Sequence, residues 1–347
     1  MPAACAIDVL YVELLIDIMH LVDPGDIRTK FVLSRVCAHW RAVALTAPLL
    51  WAKIRVATAH DADALPVVLA HAGHVTSLVV SLEAKAMRTR RCPLVILAPL
   101  IPRIRCLRIR CSTSTFLPPL LGEELEFPAL EQLHVDGPDA AILSGQWPVV
   151  DLRAPRLKRL YLSHVAIRPD GWTRLLSTSL RQIYVISCHG GHIGALSTIF
   201  AHCPTIQLVV IRQKTWDRSP MRLKYSALRG RAPPSLRHLT ISGDEQSIPL
   251  AVNSDVDTST VKRVHVNLRE ESTSTHDVLR GHVRHFVDEL GGDVFSGVDR
   301  SRQSLKLRNG RGQSRSIKTL YMTGEALLGV YHDTELPGPF DLWDFSE

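Results

Sequence analysis

"LKRLYL" at residues 157–162 is followed 23 residues later by "LRQIYV" at residues 180–185. Both hexapeptides place apolar residues at positions one, four and six and Tyr at position five, and they differ at positions two and three. The last three letters alternate apolar, other, apolar, which is the pattern of a strand buried on one face. Nine copies begin 29, 26, 27, 23, 26, 30, 25 and 56 residues apart; the other seven are "VTSLVV" (75–80), "IRCLRI" (104–109), "LEQLHV" (130–135), "IQLVVI" (206–211), "LRHLTI" (236–241), "VKRVHV" (261–266) and "IKTLYM" (317–322).

This period and pattern are those of leucine-rich repeats, in which a short strand and a helical or irregular return stack into a curved solenoid. The intervening segments 168–179 and 190–203 are helix-sized and partly amphipathic. We therefore predict an α/β fold in which residues 57–335 form an irregular leucine-rich-repeat solenoid, a curved parallel sheet plus helices. The spacing of 56 indicates one degenerate or inserted repeat near 270–315. A βα protein with coincidental spacing is the alternative.

The residue between the last two apolar positions of each repeat is expected to point to the open, concave face of the sheet. Tyr occupies this position three times, although the chain has only six tyrosines. Tyr, His and Arg on one exposed face favour protein recognition, whereas a surface merely tolerant of aromatic residues is the alternative. The predicted substrate-binding residues are Arg108, His134, Tyr161, Tyr184, Thr240, His265 and Tyr321, with Val79 and Val210 completing the row.

The stretch 301–318 contains basic residues and no acidic residue. Its Gly, Ser and Asn predict a mobile loop, about 300–318, inserted into the degenerate repeat. A solvated loop is the simpler interpretation, and contact with RNA or phosphate is the alternative. The tail 336–347 is acidic and aromatic, and we expect it to cover the last repeat.

The N-terminal segment predicts two or three short helices. Leu10, Leu14, Ile18 and Leu21 form one apolar stripe, and Pro24 breaks the helix. A second helical period ends before "PLLW" at residues 48–51. A unit of this size buries too little surface to be stable alone, so we expect it to pack on a partner or on the following domain.

The order of these residues resembles the F-box over residues 8–56. The resemblance rests on the Glu-Leu-Leu of the first helix, on "VCAHW" (36–40) and on "PLLW" (48–51). Tyr11-Val12 stands where the family usually has Leu-Pro. A helical cap on the next domain is the alternative. The resemblance implies a three-helix unit that binds a Skp-family adaptor through Leu10, Glu13, Leu14, Leu15, Ile18, Val36, Cys37 and Trp40.

The same resemblance implies a substrate-recognition subunit of a cullin–RING (SCF-type) ubiquitin ligase, whose repeats bind a protein substrate. The alternative is a non-catalytic repeat scaffold with a vestigial F-box that binds a protein or RNA partner; the missing Leu-Pro favours it. No phosphate-binding loop, nucleophile elbow or H-E-x-x-H motif occurs, so we predict no enzyme and no cofactor. We also predict no metal site, because the cluster between Cys188 and Cys203 follows no zinc-finger spacing.

The composition bounds the compartment and the partners. The chain has 347 residues, 46% of them hydrophobic, and a net charge of +7, which suits a globular protein of about two domains. No secretory signal or membrane span is expected. Seven scattered cysteines without a C-x-x-C motif indicate a reduced cytoplasmic or nuclear protein. The mild basic excess makes a nucleic-acid partner possible without requiring one.

Overall fold

The structure is a computed structural model of the chain. The chain forms two compact units, unit 1 (Met1–Leu157) and unit 2 (Lys158–Glu347). The structure describes residues 10–22, 25–75, 77–83, 93–111, 125–138, 149–150, 152–167, 171–188, 195–212, 230–243, 256–268, 275–291, 294–299 and 304–319.

Unit 1 begins with helices joined by short turns. Polar side chains start several of them: the Asp26 carboxylate accepts the Thr29 amide at 2.9 Å, and Thr58 and Asp61 form a reciprocal capping box. Each cap satisfies an amide that the helix cannot pair internally. The helices are α1 (Val12–Leu21), α2 (Ile27–Leu33), α3 (Ala38–Thr46), α4 (Pro48–Trp51), α5 (Ala59–Ala72) and α6 (Pro93–Leu97), followed by a 3₁₀ helix (Ala98–Arg103).

The longer strands of unit 1 are parallel. Each buries alternate apolar residues such as Val80, Leu107 and Leu133 and turns its other residues outward. The first of these strands lies inside the segment 8–56, so the predicted helical unit ends in a strand that pairs with the strand Leu78–Glu83. The strands are β1 (Lys53–Val56), β2 (Leu78–Glu83), β3 (Ile104–Arg110), β4 (Leu125–Glu126), β5 (Gln132–Asp136), β6 (Val149–Val150) and β7 (Leu152–Arg153).

Unit 2 contains six parallel strands in the order β8-β10-β11-β13-β15-β18. Short helices α7 (Gly171–Leu175), α8 (Ala195–His202) and the longer α9 (Thr275–Leu290) lie between strands along the chain. The strands of unit 2 are β8 (Arg159–Ser163), β9 (Ala166–Ile167), β10 (Gln182–Ile186), β11 (Leu208–Arg212), β12 (Gly230–Arg231), β13 (His238–Gly243), β14 (Val256–Asp257), β15 (Arg263–Leu268), β16 (Val294–Asp299), β17 (Ser304–Asn309) and β18 (Ser314–Thr319).

The prediction of a mobile loop at about 300–318 is wrong over the described residues 304–318, because most of them lie in two strands. Strands β17 and β18 pair antiparallel, and β16 pairs antiparallel with β17. The physical reason is the alternation in "SLKLRN": Leu305 and Leu307 are buried, whereas Lys306 is half-buried and Arg308 exposed. Lys306 and Arg308 therefore lie on the outward side of β17.

A buried ionic network joins β18 to α9. Arg315 is fully buried, and its Nε donates to Oε2 of Glu289 at 3.1 Å. The other guanidinium nitrogens donate to the carbonyls of Val261 and Thr258, each at 2.9 Å. Burial opposes ionisation of Glu289, but the side chains of His285 and Thr258 and the charge of Arg315 outweigh it and lower its pKa. The hydrogen bond with Glu289 raises the pKa of His285 against the effect of burial.

This network predicts a pH-dependent stability. The lowered pKa of Glu289 contributes stability above its ordinary value of 4.5, which is lost as the pH falls through the folded-state pKa. The raised pKa of His285 contributes below 6.5 and is lost as the pH rises through its folded-state pKa. We expect both contributions to be present at about pH 5.5.

Urea midpoints at about pH 3.5, 5.5 and 8 measure the effect. Glu289→Gln is expected to flatten the acid side of the wild-type profile. An acid side of the same slope in wild type and variant would contradict this assignment.

The coarse fold prediction is confirmed: the chain is a mixed α/β protein with a mostly parallel sheet. The identity of the N-terminal helices as an F-box and of the repeats as a leucine-rich solenoid stays a prediction. Among the helices in the described residues, none is long and apolar enough to cross a bilayer.

Candidate functional site

Exposed apolar side chains concentrate on the N-terminal helices. Of twelve large hydrophobic residues exposed within the described residues, ten fall between positions 11 and 49. Exposed apolar side chains that come together in one patch mark sites of interaction with a partner. We call these ten residues the N-terminal apolar surface: Tyr11, Val12, Leu14, Ile18, Leu21, Val22, Val32, Val36, Leu45 and Leu49.

Helix α1 is apolar on two adjacent sides. Leu15 and Met19, four residues apart, are fully buried. The predicted stripe lies about 100° round the helix from them, and its residues Leu14, Ile18 and Leu21 are 51%, 37% and 84% exposed. The stripe that the sequence shows is therefore the side of α1 left in solvent, and a different pair of residues anchors the helix.

Most of the predicted adaptor-binding residues reach the surface, and one does not. Leu10 is half-buried, Glu13 is exposed, and Val36 is 51% exposed. Leu15 is 0% exposed and belongs to the core of the helical unit. It could contact a partner only if α1 left its neighbours, so its role in this structure is packing.

Cys37 and Trp40 have a local structural role. The Cys37 sulfur accepts the Trp40 amide at 3.5 Å and caps α3. Trp40 is half-buried, and within the described residues its indole nitrogen Nε1 has no hydrogen-bond partner. An unpaired buried donor costs free energy. Because the Cys37 sulfur caps α3 through the Trp40 amide, the spacing of the two residues is explained by helix capping and does not indicate thiol chemistry.

Sequence reasoning missed several members of the N-terminal apolar surface. Val32, Leu45 and Leu49 are 62%, 42% and 66% exposed. Leu49 carried a signal, because "PLLW" contains two adjacent leucines, and adjacent residues of a helix project about 100° apart, so one leucine of the pair can be left exposed. Leu50 is the buried one of the pair. Val32 and Leu45 stand in apolar helical segments where periodicity alone does not assign the inward side.

In unit 1, two of the predicted substrate-binding residues share one row of the sheet. Arg108 is exposed and pairs in register with the half-buried His134. The row continues to Ser81 rather than to Val79, because the repeat alignment is offset by two residues at β2. Burial lowers the pKa of His134, while Asp136 opposes this effect.

In unit 2, register places four predicted residues in a second row. Tyr161 and Tyr184 are neighbours, with ring centroids 5.9 Å apart. Thr240 and His265 pair directly, and Nδ1 of His265 lies 2.6 Å from the Ser316 hydroxyl. Val210, between Tyr184 and Thr240, is buried.

The ninth repeat is aligned differently from the prediction. The register pairs His265 with Ser316, whereas the repeat pattern assigned Tyr321 to that position. Strand β18 begins at Ser314, where buried Arg315 rather than an apolar residue starts the inward series. Tyr321 itself lies outside the described residues.

The buried thiols are protonated and therefore poor nucleophiles. Burial raises the pKa of Cys111, Cys188 and Cys203 to about 12, so each is a protonated thiol at neutral pH. Over the part of the chain that the structure describes, no three potential ligands are grouped to hold a metal ion. The other members of the cluster between Cys188 and Cys203 include His189 and His192, which lie outside the described residues.

The candidate sites are therefore the N-terminal apolar surface and, in each unit separately, the outward side of the parallel strands. No protein-family model matches the chain, and no curated protein is similar to it in sequence.

Proposed function

We propose that the chain is a substrate-recognition subunit of a cullin–RING ubiquitin ligase. The N-terminal helices bind a Skp-family adaptor as an F-box does, and the repeat segment holds a protein substrate as a leucine-rich-repeat solenoid. Ubiquitin transfer takes place on other subunits, and this chain raises the effective concentration of substrate lysines near them. Two observations support the proposal: the F-box-like order of residues in the sequence, and the exposure of apolar residues from that segment.

The N-terminal apolar surface is the observation that carries the proposal. Leu14 and Ile18 come from the residues that the F-box resemblance assigns to the adaptor, and both are exposed. Burial of exposed apolar side chains such as these at an interface is favourable, because it removes their apolar area from water. A surface of this kind favours a stable protein partner over a solvent-facing role.

The outward side of the sheet supports the second half of the proposal. Its side chains in unit 2 include a contacting tyrosine pair, Tyr161 and Tyr184, held by strands whose inward residues are buried. Rigid strands fix such side chains with little loss of conformational entropy on binding. A protein substrate therefore meets a preformed surface.

Leu14→Asp tests the adaptor half. A charge introduced among these apolar residues must be desolvated on binding, so we expect adaptor affinity to fall by at least about 30-fold. Affinity is measured by biolayer interferometry between the full chain and a purified Skp-family adaptor. Val95→Asp is the matched control, because Val95 is 65% exposed on α6, outside the apolar surface, and this variant should bind as the wild type does.

Two results would overturn the proposal: no adaptor binding by the wild type, or equal binding by wild type and Leu14→Asp. Either would favour a non-catalytic scaffold with a vestigial F-box, an alternative supported by Tyr11-Val12 in place of Leu-Pro.

A further inference from the structure

The outward side of the six parallel strands of unit 2 is cationic. Side chains on alternate positions share this side because successive residues of a strand point to opposite faces. Each strand supplies three such positions, and none of these positions holds a carboxylate. We call this side the cationic face, after its basic residues Arg159, Arg212, His238, Arg263, His265 and Lys318.

Burial and neighbouring cations lower the pKa of both histidines on the cationic face. Burial lowers the pKa of His238, and the cations of Arg263, Lys262 and Arg237 lower it further. Burial also lowers the pKa of His265, with Lys318 and Arg212 adding to the effect. Both imidazoles are therefore in a positive field that disfavours an added proton and favours an anion.

The corresponding side of unit 1 differs in its charge balance. Arg110 lies 3.7 Å from the Asp136 carboxylate and is in register with Glu83. Its arginines therefore have acidic neighbours on the same side of the sheet. The excess of positive charge is a property of the unit 2 strands and not of the repeat pattern in general.

An apolar strip runs beside the cations. Ile186, Leu208 and Val210 lie on the same side of β10 and β11, next to the tyrosine pair. The rings of Tyr161 and Tyr184 are tilted by 38° to each other with centroids 5.9 Å apart, so the pair does not form one flat platform for base stacking. An apolar strip next to cationic positions suits a peptide with both apolar and acidic residues better than a nucleic acid.

We propose that the cationic face binds an acidic segment of a protein in extended conformation. Arg212 and Lys318 are in the same register row, three strands apart, and strands lie ~4.8 Å apart, so their backbones are ~14 Å from each other. Four residues of an extended peptide span a similar ~13–14 Å. Carboxylates four residues apart can therefore meet both cations. The role of that segment as a substrate rests on the proposed function, whereas its binding does not.

The test measures fluorescence polarisation of a labelled acidic peptide of about 12 residues, with Glu at every fourth position and Leu or Val between. We expect Arg212→Gln/Arg263→Gln to weaken its binding by the full chain about tenfold at about 0.1 M salt. Arg284→Gln/Arg311→Gln is the matched control: it removes the same charge from two exposed residues, one on α9 and one in the β17–β18 turn. The control pair should change affinity less than about twofold.

Three results would overturn the proposal. The first is an equal loss in both double variants, which would show an effect of net charge alone. The second is equal affinity for the peptide with Gln in place of Glu. The third is tighter binding of a single-stranded RNA of similar length that Arg212→Gln/Arg263→Gln weakens, which would assign the face to nucleic acid.

Adaptor binding separates this proposal from the proposed function. Arg212→Gln/Arg263→Gln should bind the Skp-family adaptor normally, and Leu14→Asp should bind the acidic peptide normally. A variant that loses peptide binding and keeps adaptor binding is altered in the cationic face alone, so its result bears on this proposal and not on the proposed function. If the wild type binds the peptide and does not bind the adaptor, the proposal for the cationic face is supported and the proposed ligase role is contradicted.

Discussion

Arg315→Met is expected to lower the free energy of unfolding of unit 2 by about 3–5 kcal/mol. Arg315 is fully buried and is ion-paired with Glu289, which is 8% exposed. Removing the guanidinium takes the Arg315 cation from the buried Glu289 carboxylate, which among the described residues then has only the His285 imidazole as an ionic partner. It also removes the Arg315 hydrogen bonds to the carbonyls of Val261 and Thr258, of which the Thr258 carbonyl keeps the Val261 amide as a donor. Urea unfolding followed by circular dichroism gives the measurement.

A second substitution separates charge from packing. Glu289→Gln added to Arg315→Met removes the stranded charge yet keeps an oxygen that accepts from Thr258. We expect the double variant to recover at least about 1 kcal/mol of the loss. Arg311→Met, at an exposed position of the same hairpin, should change stability by less than about 0.5 kcal/mol. A loss below about 1 kcal/mol in Arg315→Met would contradict the role given to the ion pair.

The parallel strands were predictable because their signal is local. Alternation puts Leu160 and Leu162, or Ile183 and Val185, inside, and each is at most 1% exposed. The repeat spacing then places equivalent residues side by side, as Tyr161 and Tyr184 are. Period and alternation can both be read along one segment of chain, so no knowledge of distant neighbours is needed.

The buried network was not predictable for the opposite reason. Arg315 lies in a basic stretch, and such stretches are usually solvated. Its partner Glu289 is 26 residues away on α9, and nothing local to either residue shows that the two meet. The alternating leucines of β17 did carry a signal, but the density of basic residues around them favoured a loop.

The N-terminal apolar surface was predictable in composition and not in orientation. The sequence shows a stripe at Leu14, Ile18 and Leu21, but helical periodicity states only that the three share a side. Which side faces inward depends on contacts with other helices. Leu15 and Met19 make those contacts, and the stripe is left outside. The F-box resemblance placed Leu15 among the adaptor-binding residues, and a motif likewise does not state which of two adjacent leucines faces inward.

Trp51→Ala is expected to be the most damaging substitution in unit 1, lowering the free energy of unfolding by about 3–5 kcal/mol. The indole is 0% exposed, and its ring lies 5.8 Å from Phe31 and 4.7 Å from His71. Its Nε1 donates to the Ala44 carbonyl at 2.8 Å. Truncation therefore opens a cavity between α2, α4 and α5 and leaves a buried carbonyl on α3 without its donor.

Two comparisons show whether this loss comes from packing at the centre of the helices. Leu49→Ala changes a 66% exposed neighbour on the same short helix and should alter stability by less than about 0.5 kcal/mol. Trp51→Phe restores most of the ring volume without the donor, so we expect a loss of about 1–3 kcal/mol in the free energy of unfolding.

Because Trp51 is inaccessible, any loss of adaptor binding in Trp51→Ala must follow unfolding of the helices. Leu14→Asp, by contrast, should lose binding while the urea midpoint stays within error of the wild type. A Trp51→Ala protein that keeps the wild-type midpoint would show that the indole is not the centre of this core.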